Sequence, residues 1–438
     1  MPVRAIGPLA LCLAAAFALV SCSAGTVPAA GQDEDGQQGP VQVQFAELHW
    51  TASAEGESLT GARLNLDDAV DMEIGDLMTV EYTTKALNTK DWSFGALDIS
   101  SKGVLFGSVN PAPQKLTKDK TFDGSKMSIH SVAATVEAGK LTAFPSTQNV
   151  LSNDGPRQIT AGVSEEGKYV WSETAATSGG ETAWRVFTGG KDQNPRLLGQ
   201  AEDFFAKDGV GLFPMEGQMA LKDSVAYWES MVVPDDVESA AAILSADLDD
   251  GQEAREFMEN SIAPVALDSW VASVGVYPEE DSTVEQRQIN LHDEVRDGPG
   301  RGRVLVVDEG AGTEEEAPFS RFAGAGSTLM TTYARNLLVM DIDNTLIAAI
   351  ENPDERGPVG MAVCGGYATW TYEDDGYAGD KAQYFLDLKT KELYRVANEN
   401  LLGQTFCAGD HFAWSVLEEG DSNAAAYTEV MKWKPSAS

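Results

Sequence analysis

The chain has 438 residues, with 68 Asp and Glu against 31 Lys and Arg, and a formal charge of -37 at pH 7. Such a surface repels a phosphate backbone, which excludes nucleic acid as a partner and points to cations or basic surfaces. With 43% hydrophobic and 8% aromatic residues the chain can bury a large core, so wholesale disorder is excluded as well.

At the N-terminus, Arg4 precedes an apolar run from Ala5 to Val20, and the run ends in Leu19-Val20-Ser21-Cys22. The run is short for a membrane span and has the proportions of a signal sequence. Its Leu-Val-Ser-Cys end resembles the lipobox of bacterial lipoproteins. By that resemblance residues 1–21 are a signal peptide, the Cys22 thiol takes a diacylglyceryl group, and the new amino terminus receives a further chain such as palmitate. The mature protein is then expected on the extracytoplasmic face of the cell membrane, since two or three acyl chains anchor stably where one is marginal. Losing residues 1–21 removes only Arg4 among charged residues, so the acidity is undiminished.

Residues 22–40 are expected to be the lipidated Cys and a solvated tether, because Ser23 to Pro40 holds no large apolar residue except Val27. As a flexible coil the tether spans roughly 23 Å on average and about 60 Å when stretched.

From Val41 onward the apolar residues alternate with period two and are interrupted by Gly, Asp, Asn and Pro, the pattern of an all-β body. Aromatic strands recur at Tyr169–Ser172, Ala226–Glu229, Trp270–Ser273, Tyr367–Trp370 and Phe412–Ser415. Each is followed by a polar segment and a second apolar strand, and most by a tight turn and a third. Weaker copies lie at Ser327–Thr332 with Asn336–Ile347, and at Val104–Ser108. Trp171 to Trp228 and Trp370 to Trp414 repeat near the roughly 40 to 50 residues of a propeller blade with insertions. The expectation over 41–438 is a β-propeller of about seven four-stranded blades. The alternative is two β-sandwich domains joined near residues 140–160. Residues 41–150 carry the least regular repeat and are a candidate separate small β domain. The spacing and aromatic placement resemble bacterial extracytoplasmic β-propellers of the WD40-like and TolB-like kind, although no Gly-His to Trp-Asp signature is present.

Cys12 leaves with the signal and Cys22 takes lipid, so only Cys364 and Cys407 are left to pair. Each precedes the aromatic strand of its own unit, and equivalent places in adjacent blades are neighbours at a hub. Outside the cytoplasm such a pair is expected to form a disulfide.

Signals for chemistry are sparse. Leu337 to Leu346, with Asp341 and Asp343, looks like the first motif of haloacid-dehalogenase-type phosphatases. That chemistry needs an α/β sheet, whereas two of the clearest β units follow, so the segment is expected to be two strands and a turn. His49, His130, His292 and His411 lack zinc-ligand spacing. Acidic clusters recur at Asp235-Asp236, Asp247 to Asp250, Glu279 to Asp281, Glu314 to Glu316 and Glu373 to Asp375. Asp247, Asp249 and Asp250 superficially resemble the start of a calcium loop, one residue out of register, and are the one candidate for a structural cation. No other cofactor is implied. Arg296, Arg301 and Arg303 lie in a Gly-rich stretch and are candidates to grip an anionic ligand or partner. The functional expectation is a lipid-anchored, envelope-facing binding or scaffold protein that recognises a protein, peptide or glycan through propeller loops. The alternatives are a propeller-type hydrolase or lyase with its site at the mouth of the central channel, and a sandwich adhesin.

Overall fold

Period-two alternation produces strands almost throughout. A computed structural model describes residues 41–50, 58–89, 91–111, 130–147, 157–175, 184–204, 218–232, 240–251, 253–278, 284–292, 303–307, 319, 322–342, 345–353, 357–372, 381–417 and 426–434. The N-terminal portion gives β1 (Gln42–Trp50), β2 (Ser58–Leu64), β3 (Val70–Asp71), the single-turn helix α1 (Ile74–Leu77) and β4 (Met78–Thr83). Seven antiparallel meanders follow. Blade 1 holds β5 (Trp92–Ile99), β6 (Leu105–Pro111), β7 (Val132–Glu137) and β8 (Lys140–Ala143). Blade 2 holds β9 (Arg157–Glu165), β10 (Lys168–Ala175), β11 (Trp184–Gly190) and β12 (Gln193–Gln200). Blade 3 holds β13 (Met219–Lys222), β14 (Val225–Val232), β15 (Ala240–Asp247) and β16 (Arg255–Glu259). Blade 4 holds β17 (Ser261–Ala266), β18 (Val271–Pro278), β19 (Val284–His292) and β20 (Arg303–Val307). Blade 5 holds β21 (Phe322–Ala325), β22 (Thr328–Tyr333), β23 (Asn336–Asp341) and β24 (Thr345–Glu351). Blade 6 holds β25 (Pro358–Cys364), β26 (Tyr367–Tyr372), β27 (Ala382–Asp387) and β28 (Leu393–Ala397). Blade 7 holds β29 (Leu401–Ala408), β30 (His411–Val416) and β31 (Tyr427–Trp433), and takes β4 as its fourth strand.

The first strand of each blade lies against the first strand of the next, and β29 against β5 closes the ring. The architecture is therefore a seven-bladed β-propeller, and the two-sandwich alternative is overturned. The physical reason is the distribution of apolar surface. A four-stranded sheet with two apolar faces cannot cover both by itself. The core accordingly divides into layers, one between each neighbouring pair of blades. The repeating tryptophans fill these layers: Trp171, Trp228, Trp370 and Trp414 are all buried. Between blades 2 and 3, Trp184 meets Trp228 edge to face at 6.1 Å.

Residues 41–150 are not a separate domain. β5 to β8 are an ordinary blade, and the strands before them add to the outer edges of blades elsewhere in the ring. β1 pairs with β20 of blade 4, β2 with β24 of blade 5, β3 with β28 of blade 6, and β4 with β31 of blade 7. The N-terminal segment thus runs as a belt around more than half of the rim, and its last strand closes the ring by completing the C-terminal blade. Each added strand satisfies a row of backbone donors and acceptors that would otherwise form an open edge.

The Cys364–Cys407 disulfide joins the first strands of blades 6 and 7, with Cα atoms 5.6 Å apart, inside the range a disulfide requires. Both residues lie toward the ends of strands β25 and β29, next to the hub.

Candidate binding face

A meander fixes which connections share an end of the ring. The turns from first to second strand, residues 166–167, 223–224, 326–327, 365–366 and 409–410 among them, all lie at one end, here the tight-turn end. Connections from second to third strand leave from the other end and comprise residues 112–131, 176–183, 233–239, 279–283, 334–335, 373–381 and 417–426. The passages from blade to blade, such as 308–321, also belong to this long-connection end. The acidic clusters Asp235-Asp236, Glu279 to Asp281, Glu314 to Glu316 and Glu373 to Asp375 fall in these connections, outside the described residues. The connections thus differ in length between the two ends, with 334–335 and 293–302 as exceptions, and long segments carried on a scaffold are where proteins commonly place recognition.

Beneath the long-connection end, blades 1 to 4 bury charged and polar groups. Glu173, near the end of β10, is 1% exposed. Its carboxylate accepts from Thr147 Oγ1 at 2.9 and 3.0 Å and from Trp171 Nε1 at 3.0 Å. Burial pushes this carboxyl up, while the two donors and the nearby Arg157 guanidinium hold it down. Arg157 opens β9 at the same end and is itself buried. Burial lowers its guanidinium, and the charges of Glu173 and Glu202 act in the opposite sense. Arg185 on β11 lies 3.8 Å from Glu202. His130 Nε2 shares a hydrogen bond with Ser146 Oγ at 3.0 Å. Burial and Arg157 both lower the His130 imidazole, favouring its neutral form.

The same construction recurs one blade on. Glu229, directly after Trp228, is 3% exposed. It accepts from the backbone N–H of Gln218 at 3.2 Å and from that of Ala263 in blade 4 at 2.8 Å. Trp184 Nε1 donates to Ser230 Oγ at 3.1 Å. These carboxylates receive donors from the protein itself, so they fix the starts of strands at the long-connection end. Glu173 and Glu229 are not among the residues singled out from the sequence. The available signal was a carboxylate one or two residues after a repeating Trp, where a strand buried on both faces has no reason to carry charge.

The residues singled out by sequence fall elsewhere. Asp247 Oδ1 accepts from the backbone N–H of Asp249 at 2.7 Å and of Asp250 at 3.3 Å, capping its own turn at the tight-turn end. Asp249 is paired with Lys168 of blade 2 at 2.8 Å, and this contact lowers its carboxyl. Among the described residues no group of three His, Cys, Asp or Glu is placed to hold a metal ion. The three aspartates form a turn and a bridge between blades. Arg296 and Arg301 lie outside the described residues, and Arg303 opens β20 opposite Leu291. Cys22 also lies outside the described residues. Asp341 ends β23 opposite Thr345 of β24, so the phosphatase-like segment is a hairpin within blade 5. Asp343 falls outside the described residues. His411 is 6% exposed and links three elements: its Nδ1 meets Ser101 O at 3.0 Å and its Nε2 meets Glu81 of β4 at 3.3 Å.

No protein-family model matches the chain, and no curated protein matches its sequence. Solved structures do. A puromycin-hydrolysing peptidase of Mycobacterium tuberculosis aligns with 82% of this chain and 54% of its own, at 11% identity and a TM-score of 0.46. The β-propeller domain of the Trilobed protease from Pyrococcus furiosus aligns over 78% of this chain and 94% of its own, at 10% identity and a TM-score of 0.45. The WD40 domain of Neurospora crassa Pan2 aligns over 84% of this chain and 98% of its own, at 9% identity and a TM-score of 0.43. The chain spans about half the length of the puromycin-hydrolysing peptidase. At such identities and scores no activity of these proteins transfers to this chain.

Proposed function

We propose that the protein is a lipid-anchored binding propeller of the cell envelope, which takes a basic protein or peptide surface on its long-connection end. The observation that carries the reading is the unequal length and charge of the connections: most first-to-second turns are short, whereas most second-to-third connections are long and several, 233–239, 279–283, 373–381 and 417–426, are rich in Asp and Glu, with 112–131 the Lys-rich exception. Buried Glu173 and Glu229 support it by holding that end in one geometry, which lowers the entropic cost of binding. The overall charge of -37 supports a cationic ligand and steers it by long-range attraction. Anchoring rests on Leu19-Val20-Ser21-Cys22 and on the tether behind it.

Two measurements test the reading. Cys22→Ser should move the protein out of the membrane fraction, and identical fractionation of native and substituted protein contradicts the anchor. Immobilised mature protein should retain a basic envelope component that is released as salt is raised, because exposed charge pairs are screened. Capture that is indifferent to salt contradicts an electrostatic binding face.

A further inference from the structure

The direction in which the chain joins the ring fixes which end the tether leaves. In each blade the fourth strand runs from the tight-turn end to the long-connection end, and β20 and β24 are fourth strands. β1 pairs antiparallel to β20, with Leu48 opposite Val307 and Trp50 opposite Leu305. It therefore starts at the long-connection side and runs toward the tight turns. An independent pairing agrees: β2 is parallel to β24, with Ala62 opposite Ala348 and Leu64 opposite Ile350, and β1 is antiparallel to β2. Val41, at the head of β1, is 69% exposed, and its carbonyl is held by the Arg63 N–H at 2.7 Å. The point of attachment is thus pinned to the rim and open to solvent.

We propose that the ring hangs with its long-connection end toward the bilayer, so that this end looks into the gap spanned by the tether. The proposal rests on the reading of Cys22 as a lipid anchor. A partner that meets this end therefore approaches it from the membrane side.

Two positions on blade 6 provide the test. Glu399 is exposed between β28 and β29 at the long-connection end, and Lys389 is exposed in the turn after β27 at the tight-turn end. Natively lipidated Glu399→Cys and Lys389→Cys proteins, each carrying one free thiol, are labelled with a donor dye and reconstituted in vesicles containing an acceptor-labelled lipid. A second set replaces residues 1–22 with a hexahistidine tag and is bound to vesicles through a nickel-chelating lipid. The two positions differ by about 20 Å along the ring axis at roughly 3.3 Å per residue. Transfer from position 399 should be roughly twice that from position 389 in both sets. Equal transfer, or more from position 389, in the tagged set overturns the orientation even where lipidation holds. A native set that fails to associate with vesicles, beside a tagged set with the expected order, overturns the lipid anchor and leaves the orientation of the tethered ring supported.

Discussion

Trp433 donates its indole N–H to Cys364 Sγ at 3.4 Å, and the same residue pairs in register with Met78 of β4, the strand that closes the ring. The indole also stacks on Tyr367 at 4.3 Å and meets Phe385 edge to face at 5.6 Å. The disulfide between blades 6 and 7 is therefore in contact with the strand pair that joins the two ends of the chain. Loss of either loosens the packing of the other.

Because the bond closes a loop of 43 residues, the loop-entropy model assigns it about 4 kcal/mol. Cys407→Ser should lower the melting temperature under oxidising conditions and change little in excess reductant, where the native bond is also lost. Non-reducing peptide mapping should recover Cys364 joined to Cys407. Equal melting of the two proteins under oxidising conditions contradicts a stabilising bridge.

The first strands of blades 4, 6 and 7 bulge at the same place, where Ala263 (φ 54), Gly360 (φ 55) and Gly403 (φ 76) adopt the left-handed conformation. Glycine accepts this without strain, whereas alanine costs roughly 1 kcal/mol. The Glu229 carboxylate on the Ala263 N–H offsets that cost. Ala263→Gly should leave stability unchanged or raise it slightly. Gly360→Ala should destabilise clearly, because a Cβ there would lie 2.5 Å from the Gly403 carbonyl oxygen. Glu229→Ala should cost about 3 kcal/mol by leaving the Gln218 and Ala263 donors unpaired. Denaturant unfolding of the three variants checks the order, and a Glu229→Ala protein as stable as the parent contradicts the role assigned to the carboxylate.

Two groups shape stability against pH in opposite senses. Burial pushes Asp98 up to about 6, although Ser164 N–H and Oγ both donate to it. Its folded value exceeds its unfolded one, so stability is full near pH 4 and is lost as pH rises through 6. Asp98→Asn should therefore stabilise at pH 7.5, by at most about 3 kcal/mol, and matter little at pH 4. His292 packs against Phe257 at 5.8 Å, and burial lowers its imidazole to about 4. The unfolded chain takes up a proton that the folded one refuses, so stability falls as pH drops from 6.5 toward 4. His292→Leu should flatten that slope. Melting curves between pH 4 and 8 separate the two, and an unchanged profile in both variants rejects them.

The ring was legible where tryptophans recur, because Trp171, Trp228, Trp370 and Trp414 occupy the second strand of their blades and large aromatics mark buried, two-sided sheets. The first strands were not. β9, β13, β17, β21, β25 and β29 are rich in Gly and Ala, and the bulges at Ala263, Gly360 and Gly403 break their alternation, so the spacing displays three strands per unit where four exist. The belt was illegible for a different reason. Strands β1 to β4 find partners in β20, β24, β28 and β31, far along the chain, and no local pattern encodes such pairings. The candidate face was visible only as scattered acidic clusters, since which of them share an end depends on strand order.

The central claim, that recognition occurs at the long-connection end, is tested most directly by photo-crosslinking in the intact envelope. A photoreactive residue is placed at Asp91 or Glu399 at that end, and at Asp192 or Lys389 at the tight-turn end, all four being exposed. A discrete crosslinked product that weakens as salt is raised is expected from positions 91 and 399, and none from positions 192 and 389. A product formed only from the tight-turn positions would contradict it.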